Sequence, residues 1–274
     1  MAWESQAGDE SLPDIRFGTS GFDYPEWEGP FYPPGYGRKD YLAYYSQIFG
    51  TLELNFTYYG MPKAMQMREL MAKARKPIDF SVKANQTLTH KIDPATWGDS
   101  LTEFSRGIAP LQELGRLCAV LLEFPYSFHY EDDERRYLDK ITRGLASFPL
   151  VVEFRNAQWY NARAIEGLKK RNIGLCALDL PRLEGLPPLS DLVTSDVAYV
   201  RFHGRNGASW WTGGAGSRYE YRYTKEELEP WVPRIEAMST QAKKIRVYFN
   251  NHPRGDAPAN AKELAALAAK AKLI

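Results

Sequence analysis

Ionisable side chains recur at the ends of short apolar segments along the chain. They are Glu53, Lys83, Glu123, Glu153, Arg155, Asp179, Arg201 and His203. Carboxylates, cations and a histidine in one place are suited to general acid–base catalysis and to holding anions. We assign catalytic roles to Glu153, His203 and Lys83. Glu153 and His203 would be the acid–base pair, and Lys83 would hold an anionic group.

The same residue types are compatible with three other interpretations. Glu–Arg pairs in a protein interior can be a purely structural ion-pair network, since buried charges must be paired. Glu153, Asp179 and His203 could hold a divalent ion. The chain has only four histidines, however, so we predict no metal site and leave the cofactor unassigned. Glu123 and Glu153 on adjacent strands could form the carboxylate pair of a retaining glycosidase, about 5 Å apart.

Residues 204–223 form a second group of residues that could bind a ligand. This stretch contains Arg205, Asn206, Trp210, Trp211, Arg218, Tyr219, Tyr221, Arg222 and Tyr223. Arginines make bidentate contacts with phosphates, and flat rings stack on bases. The stretch supports an alternative hypothesis, a module that binds nucleic acid or a nucleotide. The formal net charge of +1 opposes a large nucleic-acid footprint.

A wider set of residues is predicted to bind the ligand rather than to react with it. The set is Asn55, Tyr58, His90, Glu123, Arg155, Asp179, Arg201, Arg205, Trp210, Asn250 and His252. Asn250 ends the last predicted strand, so its side chain should reach the site. Asp256 lies just before the last helix and is predicted to be its N-cap.

Eight apolar segments alternate with amphipathic ones, which predicts strands alternating with helices. The predicted strands are Ile15–Thr19, Leu52–Thr57, Asp79–Ala84, Cys118–Phe124, Leu150–Arg155, Ile173–Asp179, Val197–His203 and Ile245–Asn250. The predicted helices are Arg38–Phe49, Pro62–Arg75, Leu101–Leu114, Asp132–Leu145, Ala162–Arg171, Lys225–Thr240 and Pro258–Ala269.

This order predicts an α/β fold, a single (β/α)8 TIM-type barrel, because strands joined through helices pair in parallel with right-handed crossovers. The functional face of such a barrel is the carboxyl end of its strands. An open doubly wound sheet is the alternative. The Gly18–Gly21 turn lacks the glycine-rich phosphate pattern which that fold usually carries after its first strand.

Alternation within the strands predicts which side chains face inward. Successive side chains of a strand point to opposite faces. In the fifth strand, Val152 and Phe154 alternate with Glu153 and Arg155. The second, third, seventh and eighth strands alternate in the same way. The apolar set should pack on the helices, and the polar set should point into the barrel.

The chain as a whole has the character of a single domain. Its 274 residues suit one barrel over residues 15–274, preceded by a flexible tail, residues 1–14. No apolar run approaches the roughly 20 residues that span a bilayer. Cys118 and Cys176 are predicted to be buried and reduced. We expect a cytoplasmic protein that binds a small anionic ligand or nucleic acid and no membrane, with its oligomeric state open.

The order of several short motifs resembles the YecE-like family, a family of unknown function. The matching pieces are Gly18-Thr19-Ser20-Gly21-Phe22, Glu53-Leu54-Asn55-Phe56-Thr57-Tyr58-Tyr59, Phe80-Ser81-Val82-Lys83-Ala84, Thr89-His90, Glu153-Phe154-Arg155 with Trp159, Arg201-Phe202-His203-Gly204 and Phe249-Asn250-Asn251-His252. The resemblance implies a β/α barrel. The family pattern often has Gln where this chain has Glu123, so Glu123 is placed among the binding residues.

Overall fold

The fold alternates strands and helices, as a computed structural model describing residues 14–274 shows. Its strands are β1 (Asp14–Thr19), β2 (Thr51–Leu54), β3 (Asp79–Lys83), β4 (Leu117–Phe124), β5 (Leu150–Phe154), β6 (Gly174–Leu175), β7 (Ala177–Asp179), β8 (Val197–Phe202) and β9 (Lys244–Phe249). Its helices are α1 (Arg38–Ile48), α2 (Phe56–Tyr59), α3 (Ala64–Lys73), α4 (Trp97–Glu113), α5 (Asp132–Gly144), α6 (Ala162–Lys170), α7 (Ala215–Arg218), α8 (Lys225–Leu228), α9 (Trp231–Ser239) and α10 (Asp256–Lys270).

The strands form two parallel sheets. One has the order β1-β9-β8-β7, and the other has the order β2-β3-β4-β5-β6. The predicted α/β fold with parallel strands is confirmed. A closed eight-stranded barrel is not observed, because hydrogen-bonded ladders are interrupted at two places. One interruption lies at Cys176, which divides the predicted strand Ile173–Asp179 into β6 and β7.

The other interruption, between β1 and β2, has a visible cause in the side chain of Tyr45. Its hydroxyl accepts a hydrogen bond from the Thr19 N–H at 2.9 Å and donates one to the Thr51 carbonyl at 3.1 Å. The hydroxyl therefore occupies the position where backbone hydrogen bonds would join β1 to β2. Only beyond it do the edges meet, in the bridge between Ser20 and Glu53.

The lack of a side chain at Gly18 makes this arrangement possible. A Cβ at Gly18 would lie 2.3 Å from the Thr51 carbonyl oxygen. We expect Gly18→Ala to lower the free energy of unfolding by about 1–3 kcal/mol, since the backbone of one sheet must move. Gly98→Ala in α4, with open space around the new methyl, is the matched control. Urea denaturation at neutral pH measures both, and equal stability of the two variants would contradict this account of the junction.

Several predicted boundaries move in the structure. β2 ends at Leu54 rather than at Thr57, because the Thr57 hydroxyl donates to the Leu54 carbonyl at 3.0 Å and the chain turns into α2. The predicted helix Lys225–Thr240 is two helices, α8 and α9, separated at Pro230, whose ring cannot donate a backbone hydrogen bond.

The predicted cap of the last helix is wrong. Gly255 is the N-cap of α10, with φ at 78°, and Asp256 is already helical. The Asp256 carboxylate faces Arg222 at 3.1 Å instead. The positive φ explains the glycine, since a side chain disfavours that conformation. The predicted tail, residues 1–14, lies outside the described residues except for Asp14, which opens β1.

Two apolar clusters reflect the alternation along the strands. Val152 and Phe154 belong to the large cluster that includes the helix residues Ile141 and Leu168. A smaller cluster lies on the inner faces of the sheets and contains Ala119, Leu121, Val151, Cys176, Leu178, Leu180, Leu186, Tyr199, Trp210 and Tyr248. The interior is therefore largely apolar toward the amino ends of the strands, before Glu123, Glu153 and Arg201 are reached, which corrects the expectation that the polar set alone points inward.

The amino ends of the strands are joined by a buried ion cluster. The Arg246 guanidinium, fully buried, donates to Asp79 at 3.0 Å and to the Asp14 carboxylate at 2.5 Å. These pairs tie β9, β3 and β1 together across the two sheets. Within residues 14–274, none of the helices is long and apolar enough to cross a bilayer. Cys118 and Cys176 are buried free thiols.

Candidate functional site

The deepest part of the site is a buried ion network that joins the two sheets. Arg201 of β8 donates to Glu53 of β2 at 2.8 Å and to Glu153 of β5 at 2.6 Å. Tyr199 donates its hydroxyl to the other oxygen of Glu53 at 2.7 Å. Arg201, Glu53 and Glu153 are at most 1% exposed. Because these hydrogen bonds join strands of different sheets, the three charged side chains turn inward as expected, and each carboxylate has a cationic partner.

His203 completes this network and has both ring nitrogens engaged. Nε2 lies 3.0 Å from a Glu153 oxygen, and Nδ1 lies 3.2 Å from the Asn250 amide nitrogen. A carboxylate only accepts and an amide NH2 only donates, so the proton resides on Nε2. Burial, and secondly the charge of Arg155, lower the pKa of His203 to about 4. The imidazole is therefore neutral at pH 7.

A second layer, nearer the carboxyl ends of the strands, remains within reach of the outside. Lys83 of β3 forms an ion pair with Glu123 of β4, and Arg155 lies 3.3 Å from the same carboxylate. The side chains of Lys83 and Glu123 are 15% and 10% exposed. Because they are partly exposed, a ligand that approached from solvent would contact Lys83 and Glu123 before the buried network.

Both inward-facing carboxylates of the paired strands β4 and β5 stay ionised. Burial alone would raise the pKa of Glu123, but Lys83, Arg155 and Arg201 outweigh it and hold the pKa well below its ordinary range. Burial likewise raises the pKa of Glu153, while Arg155 and Arg201 lower it further than burial raises it. Neither group retains a proton near neutral pH, so neither is a general acid in this state.

Aromatic residues surround this second layer. The Lys83 ammonium lies 4.3 Å from the centre of the Tyr58 ring, and His90 packs edge-on against that ring at 5.0 Å. Arg155 lies over the buried Trp210 at 5.7 Å. The structure thus brings the predicted Tyr58, His90 and Trp210 together with the charged residues.

A second group of rings covers the β1 and β9 side of the site. His252 stacks on Tyr24, with ring centres 4.7 Å apart, and Tyr219 lies 6.3 Å from His252 and 5.9 Å from His203. His252 is thus placed at the edge of the site. Tyr24 and Tyr219 were missed by the sequence reasoning. Tyr219 was noted only as part of the long loop, and Tyr24 precedes a 3₁₀ turn in a segment without strand or helix periodicity.

Two predicted site residues are not brought into the interior. Asp179 points to the outer, helix-facing side of β7, where it accepts from Trp231 of α9 at 2.9 Å and from Tyr223 at 2.8 Å. Arg205 pairs with it through two nitrogens, at 2.8 Å and 2.6 Å. Alternation explains the placement, because Leu178 is the member of β7 that faces inward. Asp179 and Arg205 anchor the loop.

The long loop 204–223 uses most of its polar groups internally. Arg205 is held by Asp179, and Arg222 faces Asp256. Trp210 is buried, whereas Trp211 is 50% exposed. The loop is a folded cover with one exposed ring, and it offers few free cations to a nucleic-acid backbone.

A metal site at Glu153, Asp179 and His203 is not formed, since Asp179 faces the other way. In the described part of the chain, no three His, Cys, Asp or Glu side chains are grouped so that they could hold a metal ion. Asn55, the remaining predicted binding residue, lies one position beyond the end of β2, and its Oδ1 is buried without a hydrogen-bond partner.

Known proteins share this architecture over most of the chain. Residues 16–273 match the family described as "Protein of unknown function DUF72". The UPF0759 protein YunF of Bacillus subtilis (strain 168) is 29% identical over 248 residues, covering 85% of this chain and 88% of that protein.

Two crystal structures of DUF72 family proteins are similar in fold. The protein from Thermotoga maritima MSB8 has a TM-score of 0.84 at 33% identity and covers 93% of this chain and 98% of its own. The protein from Enterococcus faecalis V583 has a TM-score of 0.82 at 26% identity, with 93% and 95% covered. The expectation of a family of unknown function is confirmed, under the descriptions DUF72 and UPF0759 rather than the name YecE-like. The chain therefore belongs to the DUF72 family.

Proposed function

We propose that this protein is an enzyme that acts on a small phosphate-bearing ligand at the carboxyl ends of the strands. The observation that carries the proposal is the Lys83–Glu123 ion pair, which is reachable from outside and rests on a fully buried network. Lys83 and Arg155 would hold the anion. A rigid, buried support beneath a reachable charged pair is the arrangement that preorganised catalysis requires.

Anion binding would change the state of Glu123. This carboxylate contacts Lys83 and Arg155, the two cations that the anion needs. An incoming phosphate competes for Lys83 and Arg155, two of the three cations that lower the pKa of Glu123, and its own negative charge raises that pKa, while Arg201 stays in place. The released carboxylate is a stronger base, able to accept a proton from the bound ligand. Glu123 would thus take the acid–base role that the sequence suggested for Glu153 and His203.

Glu153 and His203 would act as positioning residues. Both ring nitrogens of His203 are engaged, and Glu153 is bound by two arginines and the histidine. A proton relay would need one of these partners to leave. A glycosidase mechanism has less support for a related reason, since its general acid must hold a proton near neutral pH and both carboxylates have lowered pKa values.

We expect Lys83→Met to weaken binding of inorganic phosphate and of glucose 6-phosphate at least about tenfold, the value of one charge-assisted hydrogen bond. Glu123→Gln should instead strengthen phosphate binding, since it removes the carboxylate that competes for the cations. Titration calorimetry at low salt measures the affinities, with glucose as the uncharged probe. Lys243→Met, at the amino end of β9 and paired with Asp196, is the matched control.

The proposal fails if the wild-type protein binds neither phosphate nor glucose 6-phosphate at low salt. It also fails if Lys83→Met and Lys243→Met reduce affinity equally, because a diffuse surface charge would then account for binding. The nucleic-acid alternative has less support, because Arg205 and Arg222 are already paired within the chain. Single-stranded and double-stranded oligonucleotides in the same titration test it directly.

We also propose that the two sheets together form the closed (β/α)8 barrel that the strand order predicts. The Ser20–Glu53 bridge and the hydrogen bond from the Gly21 N–H to the Glu53 carbonyl at 2.8 Å support it at one junction. At the other, the Cys176 N–H donates to the Val152 carbonyl at 2.9 Å. β6 and β7 would then be one strand with a local irregularity.

A further inference from the structure

A separate cavity of about 600 Å³ opens beside the site, between α1 and α3. The apolar part of its lining is made by Phe22, Leu42, Leu54, Phe56 and Leu70, and Glu69 of α3 also lines it. Cavities that bind small molecules commonly measure about 300–1,000 Å³. Lys83 and Glu123 do not line it. The cavity is therefore a neighbouring space and not the mouth of the ion network.

Asn55 connects the cavity with the charged site. Leu54 pairs with Val82 in the β2–β3 ladder, so Asn55 is level with Lys83, one position further along. Asn55 also lines the cavity, and its Oδ1 is buried with no hydrogen-bond partner. A buried acceptor without a partner is unfavourable. A ligand N–H or O–H that reached this atom would satisfy it.

A pair of tyrosines makes a second connection. The Tyr58 ring lies under the Lys83 ammonium at 4.3 Å. Tyr59 packs edge-on against Tyr58, with ring centres 5.0 Å apart, lines the cavity and is 74% exposed. An exposed ring beside an apolar wall is suited to cover a flat or apolar group. Tyr58 and Tyr59 therefore link the Lys83 ammonium to the cavity through two rings in contact.

We infer that the cavity is a second subsite, holding an aromatic or other apolar ring of the ligand whose phosphate is bound by Lys83 and Arg155. The inference rests on the proposed function for the position of the phosphate. It narrows the substrate class to phosphates attached to an apolar ring with a hydrogen-bond donor for Asn55. A simple sugar phosphate would leave the exposed surface of Phe56 and Tyr59 uncovered.

Three probes separate the two subsites: inorganic phosphate, phenyl phosphate and phenol. We expect phenyl phosphate to bind the wild-type protein about tenfold more tightly than inorganic phosphate, because its ring buries apolar surface. Phenol should shift the methyl resonances of Leu42, Leu54 and Leu70 in NMR spectra. Glu69→Trp places a large ring in the cavity and should abolish the preference for phenyl phosphate while leaving phosphate affinity unchanged.

Glu236→Trp is the matched control, since it puts the same ring on an exposed position of α9. It should keep the tenfold preference. Phosphate binding without any preference for phenyl phosphate, and without phenol shifts at the three leucines, overturns the second subsite and leaves the proposed function standing. If inorganic phosphate does not bind, the proposed function fails, and phenol shifts that Glu69→Trp removes still support the cavity as a ring-binding site.

Discussion

Arg201→Met is expected to lower the free energy of unfolding by about 3–5 kcal/mol, the cost of removing one partner from a buried ion pair. Arg201 is 1% exposed and contacts Glu53 at 2.8 Å and Glu153 at 2.6 Å. Without it, the Tyr199 hydroxyl is the one side-chain partner that Glu53 keeps among residues 14–274. Methionine preserves much of the volume, so the loss reports on uncompensated charge rather than on a cavity.

Urea denaturation at neutral pH measures this loss, with Arg171→Met as control. Arg171 lies 3.2 Å from Asp139 and is 34% exposed, and removal of such a surface pair costs about 1 kcal/mol or less. The double variant Glu53→Gln with Arg201→Met should recover part of the stability, because the unpaired charge is gone. Equal losses at Arg201 and Arg171, or no recovery in the double variant, would show that the buried network does not hold the sheets together.

The second large effect concerns pH. Burial lowers the pKa of His203 to about 4 in the folded protein, while an unfolded histidine has its ordinary pKa of 6.5. Between these values the unfolded chain binds the proton and the folded chain does not, so stability rises with pH. The full contribution is present above pH 6.5 and is lost as the pH falls toward 4. A shift of this size corresponds to about 3 kcal/mol.

His203→Gln should remove this component and flatten the dependence of stability on pH between 4.5 and 6.5. The lowered pKa values of Glu123 and Glu153 have their effect below that window, because the unfolded value of Glu is 4.5. His90 and His252, whose pKa values burial also lowers, are present in both proteins and cancel in the difference. His129→Gln, on a histidine bonded to Asn156 outside the network, is the control.

Denaturation curves at half-unit pH steps provide the measurement, and nitrogen NMR of the imidazole adds an independent one. The structure requires the Nε2 tautomer over the whole range above pH 5. A wild-type protein whose stability is constant from pH 4.5 to 6.5 is incompatible with a neutral, buried His203. So is a spectrum that shows the Nδ1 tautomer or a charged ring at pH 7.

Glu153 and Asp179 differ in whether the alternation of residues along a strand predicts the face on which the side chain lies. Glu153 lies in a clearly alternating strand, and its inward direction follows from the period of two. Asp179 ends a segment of nearly continuous apolar residues, Ile173–Leu178, so its face cannot be read from the same rule. Both faces of that segment are buried, and only the packing of Leu178 against the inner cluster fixes the direction.

The two interruptions between the sheets likewise could not be predicted from short stretches of the sequence. Tyr45 reads as one more aromatic residue on an amphipathic helix, yet its hydroxyl occupies the gap between β1 and β2. The break at Cys176 has Gly174 two positions before it, but a single glycine in an apolar segment does not show where the strand is interrupted. Both features depend on which edges meet, and that depends on the packing of the whole chain.

The parallel α/β fold and the inward placement of Glu53, Glu153, Arg201 and His203 could be predicted from the amino-acid sequence. These follow from side-chain periodicity, which is a local property of strands. The ion-pair and hydrogen-bond partners of these side chains depend on how the whole chain packs. Glu53 and Arg201 are 148 positions apart, and their contact depends on the inner faces of two sheets coming together. Such contacts fix the tautomer of His203 and the solvent exposure of Lys83. Neither can be predicted locally, because charges and hydrogen bonds act between groups a few ångströms apart in space, wherever these groups lie along the chain.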